Sequence, residues 1–575
     1  MKPAIYTEQA ACQDCYKCVR ECPVKAIEVK DGHAVVVQDL CLYCGHCVTV
    51  CPVGAKRMRE DLPRAKLLLA RRESCHISIA PSWVSEFPCS PGQMAAALLA
   101  LGFRSAGETS IGAEVVSSAI RRSFSDSLSL STACPAVTEL VEKYYPRLAS
   151  HLSPWKSPML AHALMLKQRY GDKAGVVFAG PCIAKKQEGD KHEDCVDVVL
   201  TFDELRRWFD DAGIDLRSIE PASFDGMASR GGALYPVDGG MIASIKERAQ
   251  IIDATMISLS GTESIMRSLD DLGEQASGRP LFLEFLACKG GCINGPATDK
   301  KRSLVSKRLR VIETAARRSK EGEAASSLAP VGDEKLSKRW QADRGVVRRH
   351  FSSEEIESAL IRLGKERKED RLNCGGCGYH TCADFAAAWI EGKAEKAMCV
   401  ASMRRIAQKK MNAIIKAIPL GVVIVDDEMN VVECNRKFLE FFSDFPPEEI
   451  DEVIIDNMVG RPAARFLPET EGIRRIQGGE RELVEKRLEY RGRIMKVLIF
   501  IIERDRFTGV LFEDVTSLTK RRDTVIKNAE AVIAKNLATV QQIAGLLGES
   551  AAETEIILSS LIDVFKSSGG GGEGR

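Results

Sequence analysis

Two copies of one cysteine spacing limit this chain more than any other feature. Cys12, Cys15, Cys18 and Cys22 followed by Pro23, and Cys41, Cys44, Cys47 and Cys51 followed by Pro52, each read C-x-x-C-x-x-C-x-x-x-C-P. A third quartet, Cys374, Cys377, Cys382 and Cys399, lies in NCGGCGYHTCADFAAAWIEGKAEKAMC, and Cys134, Cys182, Cys288 and Cys292 are scattered between. Twenty cysteines in 575 residues are too sparse for a disulfide scaffold. The grouped ones read as metal ligands, and Cys75, Cys195 and Cys434 read as small buried hydrophobes, with Cys89 in a Pro-rich loop. The start MKPAIYTEQA has no signal-like apolar segment, and the longest apolar runs, Ala95 to Leu101 and Val497 to Ile502, fall short of the ~20 residues needed to cross a bilayer. A cytoplasmic protein without membrane contact is expected. With 81 basic against 80 acidic side chains, there is no global electrostatic case for nucleic acid.

The doubled motif resembles the bacterial two-cluster ferredoxins, in which the fourth cysteine of each run ligates the other cluster. That pattern assigns Cys12, Cys15, Cys18 and Cys51 to one 4Fe-4S cluster and Cys22, Cys41, Cys44 and Cys47 to a second. A pair of zinc sites is the alternative.

The scattered cysteines lie in STACPAV, AGPCIAKKQE and LEFLACKGGCINGP. These stretches resemble, in order, the three signatures of the iron-iron hydrogenases, roughly T-S-C-C-P, M-P-C-x-x-K-x-x-E and E-x-x-x-C-x-x-G-C. The resemblance implies an H-cluster: a 4Fe-4S cluster on Cys134, Cys182, Cys288 and Cys292, bridged through Cys292 to a di-iron unit carrying carbonyl, cyanide and a dithiolate amine. It further implies that Lys185 hydrogen-bonds one cyanide, with Glu188 as its acidic companion, and that Pro81 and Ser82 line the pocket near the other. Departures from the pattern are specific. Ala133 stands where the fast enzymes carry a thiol proton donor, Gly180 and Leu286 replace pocket methionines, and Ser117 replaces a relay carboxylate. Glu114 and Ser153 remain where a relay acid and hydroxyl are expected. A relative that kept only the 4Fe-4S cluster is the alternative.

The third quartet resembles a small 4Fe-4S domain of redox-sensory and electron-bifurcating proteins, a structural zinc being the alternative. Residues 411–518, with GVVIVDDEMNVVECN, Asn435 and the exit GVLFEDVTSLTKRRD, resemble a PAS domain. All eight histidines lie at or before His380, which excludes His-ligated haem there and a phosphoacceptor histidine in the helices that follow. The expected architecture is α/β multidomain: a small ferredoxin-like α+β domain (1–62), a large α/β H-cluster domain (72–310), a helical extension and linker (311–352), a small mostly helical 4Fe-4S domain (353–405), an α+β PAS domain (411–518), C-terminal helices (519–566) and a flexible tail (567–575). Ser550 with Glu553 reads as a capping box. The basic runs Lys300 to Arg302 and Lys307 to Arg310 read as a solvated helix face.

This order of modules resembles the sensory class of iron-iron hydrogenases. It implies slow, reversible H2 oxidation and proton reduction at the H-cluster, with electrons passing through three additional 4Fe-4S clusters. The redox state would be read through the PAS domain and its helices by a signalling partner such as a phosphatase or kinase. A homodimer and a ferredoxin-type redox partner are expected. Two rival readings remain: a metabolic ferredoxin-dependent hydrogenase, and a non-catalytic iron-sulfur redox sensor lacking the di-iron site.

Overall fold

The computed structural model describes residues 2–124, 127–226, 230–246, 255–275, 280–320, 329, 331–340, 344–347, 349–467, 470–477 and 482–547. The Ser550 and Glu553 capping box and the tail lie outside them. The chain divides into two compact units, Met1–Met403 and Arg404–Arg575.

The first unit begins with the cysteine-rich repeat. Strand Ile5–Thr7 pairs antiparallel with Lys56–Met58, and Ile27–Lys30 pairs with His33–Val36 as a hairpin. One short helix, Lys17–Glu21 or His46–Val50, carries the third cysteine of each run and is capped by the fourth. The repeat extends to the backbone: Asp14 and Tyr43, Tyr16 and Gly45, and Lys25 and Gly54 all take left-handed φ at matching positions. These reversals let each loop turn its thiols to one side.

Two parallel sheets follow. Ser105–Glu108, Cys75–Ile79, Gly175–Gly180 and Val198–Thr201 form a four-stranded sheet in that spatial order, and Thr255–Ser260, Leu281–Leu286 and Leu128–Leu130 form a three-stranded one. Parallel strands covered by helices on both faces are buried on both, and every residue of Cys75–Ile79 and Gly175–Gly180 is buried, the polar His76 and Ser78 included. Ligand sites in such sheets form outside the carboxyl ends of the strands. Pro81 and Ser82, Cys134, Cys182 and Cys288 each follow the end of a strand.

The described part of 311–352 is less of a linker than expected. Helix Leu304–Lys320 carries the buried Val311 and Ala315. Beyond it, Leu336 is fully buried, Ser337 bridges to Trp155, and Val346 N donates to Lys143 O at 2.7 Å. The segment is a strap held by apolar burial and backbone hydrogen bonds. Lys307 also departs from the solvated-face reading: it is buried, 2.7 Å from the buried Glu86, which Arg206 approaches at 3.8 Å from the other oxygen.

Of the third quartet, Cys374 and Cys377 lie between helix Ser353–Arg362 and helix Cys382–Ile390, Cys382 begins the second helix and Cys399 follows it; both helices are opened by capping boxes, Ser352 with Glu355 and Thr381 with Asp384. This small unit packs on the ferredoxin-like repeat: Lys25 Nζ donates to Gly378 O at 2.8 Å and Val29 N to Lys393 O at 2.9 Å.

In the second unit, five antiparallel strands run in the order Val431–Cys434, Gly421–Asp426, Phe507–Asp514, Arg493–Glu503, Leu483–Tyr490. Phe438, Phe442 and Phe512 fill the core, with Phe442 and Phe512 edge to face at 4.5 Å. Asn435 fixes the entry to helix Arg436–Phe442. Its Oδ1 accepts from Val422 N and Phe438 N at 2.8 and 2.9 Å, and its Nδ2 donates to Leu420 O and Ile415 O at 2.8 and 3.1 Å. Helix Thr516–Leu547 leaves Leu518, Val525 and Val532 exposed at a seven-residue interval.

Candidate metal centre

The first eight cysteines fall into two groups. Cys18 lies in the electrostatic field of Cys12, Cys15 and Cys51, whereas Cys47 lies in that of Cys44, Cys41 and Cys22. Cys22 and Cys51 accept amide hydrogen bonds from Ala26 N and Ala55 N at 3.3 and 3.2 Å, four residues on in each run. Amide donors aimed at sulfur stabilise thiolates that carry a metal. Cys12 also faces Asp14, which lies 3.6 Å from His33, so a carboxylate and an imidazole border the more exposed site.

The scattered cysteines converge. Cys288 neighbours Cys182, Cys292 and Cys134, and Cys44 of the repeat as well. Burial, added to by Cys134, pushes the Cys182 thiol up to about 12, and burial drives Cys288 and Cys292 well above the ordinary thiol range. Four thiols gathered this closely, one buried and three half-buried, form a poor core but a good donor set for a cationic iron-sulfur core. The residues present therefore fit a cluster. The buried Ser82 hydroxyl, just past the end of strand Cys75–Ile79, has no hydrogen-bond partner.

Lys185 is buried at this centre, with Nζ 2.7 Å from Glu188 Oε2 and 3.3 Å from the Ala133 carbonyl oxygen. It lies in the field of both Cys182 and Cys292. Glu188 lines a 430 Å³ cavity together with Glu139, His192, Lys338 and Arg344. Gly180 takes its place for a steric reason: a Cβ there would stand 2.6 Å from the Phe178 ring, which occupies the space of a longer side chain. Leu286 and Pro81 are buried. Ala133, beside Lys185, offers only a methyl.

The expected relay residues are separately engaged. Glu114 pairs with Arg121 at 3.2 Å, and Ser153 is buried, its carbonyl accepting from Trp340 Nε1 at 2.7 Å. Ser117 belongs to a buried hydroxyl chain, 2.8 Å from Tyr235 Oη and 2.8 Å from Ser244 Oγ.

The repeat and the scattered set meet closely. A Cβ on Gly45 would lie 2.6 Å from Ile183 and 2.7 Å from Pro296, so only glycine lets the Cys44 loop reach the Cys182 and Cys292 loops. Lys143 Nζ donates to Cys41 O at 2.8 Å and ties helix Pro135–Tyr144 to the same loop. In the third quartet, Cys377 neighbours Cys399 and Cys374, and Lys365 hydrogen-bonds Cys382 and Cys399. Sequence reasoning missed Lys25, Lys56 and Lys365, buried or half-buried cations set beside the thiols. No local motif marks them, because each meets its quartet through tertiary folding.

Residues 73–296 match the family model of the iron-only hydrogenase large subunit, C-terminal domain. The chain carries an iron-only hydrogenase domain. Residues 11–55 match the 4Fe-4S dicluster domain, 370–401 an Fe-S cluster family and 409–481 a PAS domain. The periplasmic [Fe] hydrogenase large subunit of Nitratidesulfovibrio vulgaris is 27% identical over 260 residues, 36% of this chain and 61% of that protein. Iron hydrogenase 1 of Clostridium pasteurianum is 25% identical over 210 residues, 29% of this chain and 37% of that protein. The chain thus spans about two fifths to three fifths of the length of these relatives. A solved variant of the [FeFe]-hydrogenase HydA1 of Chlamydomonas reinhardtii aligns at 17% identity with a TM-score of 0.38, over 50% of this chain and 100% of that structure. Among the described residues, no helix is long and apolar enough to cross a membrane.

Proposed function

We propose that this chain is a sensory iron-iron hydrogenase that oxidises H2 slowly and reports the resulting redox state through its C-terminal unit. The observation that carries the reading is the convergence of Cys134, Cys182, Cys288 and Cys292 with the buried Lys185–Glu188 pair. The four cysteines would hold an H-cluster, and when bound this group supplies the heterolytic cleavage of H2. Lys185 presents a charge-assisted donor suited to an anionic ligand in a dry pocket, and Glu188 holds its ammonium in place. Ser82 has a free hydroxyl for a second ligand. Cys44, adjacent to Cys134 and Cys288, gives electrons a short way into the repeat.

Slow turnover follows from Ala133, whose methyl group can neither take up nor release a proton. The Ser117–Tyr235–Ser244 hydroxyls form a buried hydrogen-bonded chain. General acid-base groups contribute about 10²- to 10⁴-fold, so Ala133→Cys should raise H2 oxidation by about 100-fold. Lys185→Met should abolish it while four-cysteine iron loading persists. A fast parent enzyme unaffected by Ala133→Cys would favour the metabolic reading. Signalling would pass through the PAS domain to a partner protein. Its core holds a 20 Å³ cavity lined by Leu467, Ile473 and Phe512 among others, room for about one water, so contact or redox state, not a ligand in that cavity, is the proposed input. Hydrogen exchange of the C-terminal unit under H2 and under inert gas tests this step, and identical exchange would remove it.

A further inference from the structure

At two matched left-handed positions one half of the ferredoxin-like repeat has glycine and the other does not, Gly45 against Tyr16 and Gly54 against Lys25, and the second pair is the informative one. Three residues after the last cysteine of each run the backbone turns left-handed, at Lys25 with φ 52° and at Gly54 with φ 64°. Such a turn favours glycine, and around Gly54 there is open space. Lysine in the first run therefore adopts a disfavoured conformation, and strain that persists is a pointer to function.

What holds Lys25 there is a set of three carbonyls. Its Nζ donates to Val19 O at 3.1 Å, Arg20 O at 2.8 Å and, across the interface, Gly378 O at 2.8 Å. An ammonium has three donors, and all are used, so the charge is fixed in place. The backbones meet there as well. Gly378 has φ 97°, and a Cβ on it would lie 2.9 Å from Val19 Cγ1 and 3.1 Å from Arg20 N. Arg20 Nη1 donates to Gly376 O at 3.2 Å. Val19 and Arg20 lie between Cys18 and Cys22, and Gly376 and Gly378 flank Cys377, so the charge sits where two cysteine quartets touch.

We propose that Lys25 is a fixed positive charge shared by the Cys22, Cys41, Cys44, Cys47 site and the Cys374, Cys377, Cys382, Cys399 site, and that it makes the former a three-way electron junction. The proposal rests on the reading that both quartets hold 4Fe-4S clusters. One arm leads to the Cys134 centre through Cys44, one to the Cys12 site within the repeat, and one to the Cys374 site across Lys25. Moving one electron along the third arm oxidises one site and reduces the other, with no proton or further reactant. Each added electron is attracted by the ammonium, so Lys25 favours the reduced form on both sides. Cys22 and Cys377 both lie within its field. The Cys374 site is thus a branch off the electron route, although chain order would put it beyond the hydrogenase-like domain.

The test is an EPR-monitored redox titration of the full chain loaded with iron-sulfur clusters but without the di-iron unit, comparing the parent with Lys25→Met and Lys25→Arg, and using Cys374→Ser to assign signals. In the parent, the Cys22 and Cys374 sites should show mutual magnetic splitting when both are reduced. Lys25→Met should lower the reduced-to-oxidised ratio about tenfold at both sites at a given potential, a shift of about 59 mV for one electron. The Cys12 site should stay within twofold, and Lys25→Arg should restore both values. Absence of splitting in the parent overturns the junction irrespective of how the variants fold. Unchanged midpoints in Lys25→Met, or an equal shift at the Cys12 site, overturn the role of Lys25. A parent with full iron in the first eight cysteines but no signal removed by Cys374→Ser overturns the cluster reading, and the inference with it.

Discussion

Replacing Lys186 with methionine should be among the most damaging single changes outside the cysteines. Lys186 is fully buried, one residue from Lys185, and points away from the metal centre. Its Nζ donates to Asp61 Oδ2 at 2.9 Å and to both Glu204 oxygens at 2.9 and 2.8 Å. Asp61 also contacts Arg59 and Arg64, and Arg59 continues to Asp190, so three cations balance three carboxylates between the segment leaving the ferredoxin-like repeat and the parallel sheet. Removing one buried partner leaves an uncompensated carboxylate, at a cost of about 3–5 kcal/mol. At 1.36 kcal/mol per factor of ten, that is about 150- to 5,000-fold. Amide hydrogen exchange in Gly175–Gly180, a strand at the centre of the core, reads the loss directly. Lys186→Met should accelerate it by that factor, and Lys186→Met with Glu204→Gln should lie well below the sum of the single changes, since the second removes the stranded charge. Acceleration under tenfold, or additive costs, would refute the claim that this network seats the domain.

Two further outcomes follow from buried polar groups. Burial holds His76 and His162 down at about 4, from 6.5, so the unfolded chain binds more protons between those values. Their contribution is complete above pH 6.5 and declines as pH falls toward 4, with a slope up to about 1.4 kcal/mol per unit for each; denaturant midpoints across pH 4–7 should show it, and His162→Gln should lessen the slope. Asn435→Ala removes four hydrogen bonds and the N-cap of Arg436–Phe442, which should cost about 2–4 kcal/mol; a thermal melt of the C-terminal unit within 2 °C of the parent would contradict it.

The first eight cysteines were legible because their spacing alone confines them to two small sites, and repetition removes ambiguity. Cys134, Cys182, Cys288 and Cys292 were legible only through resemblance, since their convergence depends on three strand ends from two sheets. The Lys185–Glu188 pair shares a helical turn and could be read locally. Lys186 next to it could not, because Asp61 and Glu204 lie far away in sequence. The same holds for Lys25, whose partner Gly378 is separated from it by 353 positions, and for Lys307, whose burial depends on Glu86. The strap around Leu336 looked like a linker because one buried leucine and a few backbone hydrogen bonds leave no periodic signature.

The central claim is that Cys134, Cys182, Cys288 and Cys292 hold a working H-cluster. Infrared spectra of anaerobically prepared protein, supplied with the di-iron cofactor and followed under H2 and then inert gas, test it most directly. A working H-cluster there should give carbonyl and cyanide bands that shift reversibly with H2. Full 4Fe-4S loading with no such bands would contradict it and reduce the centre to an electron-transfer site.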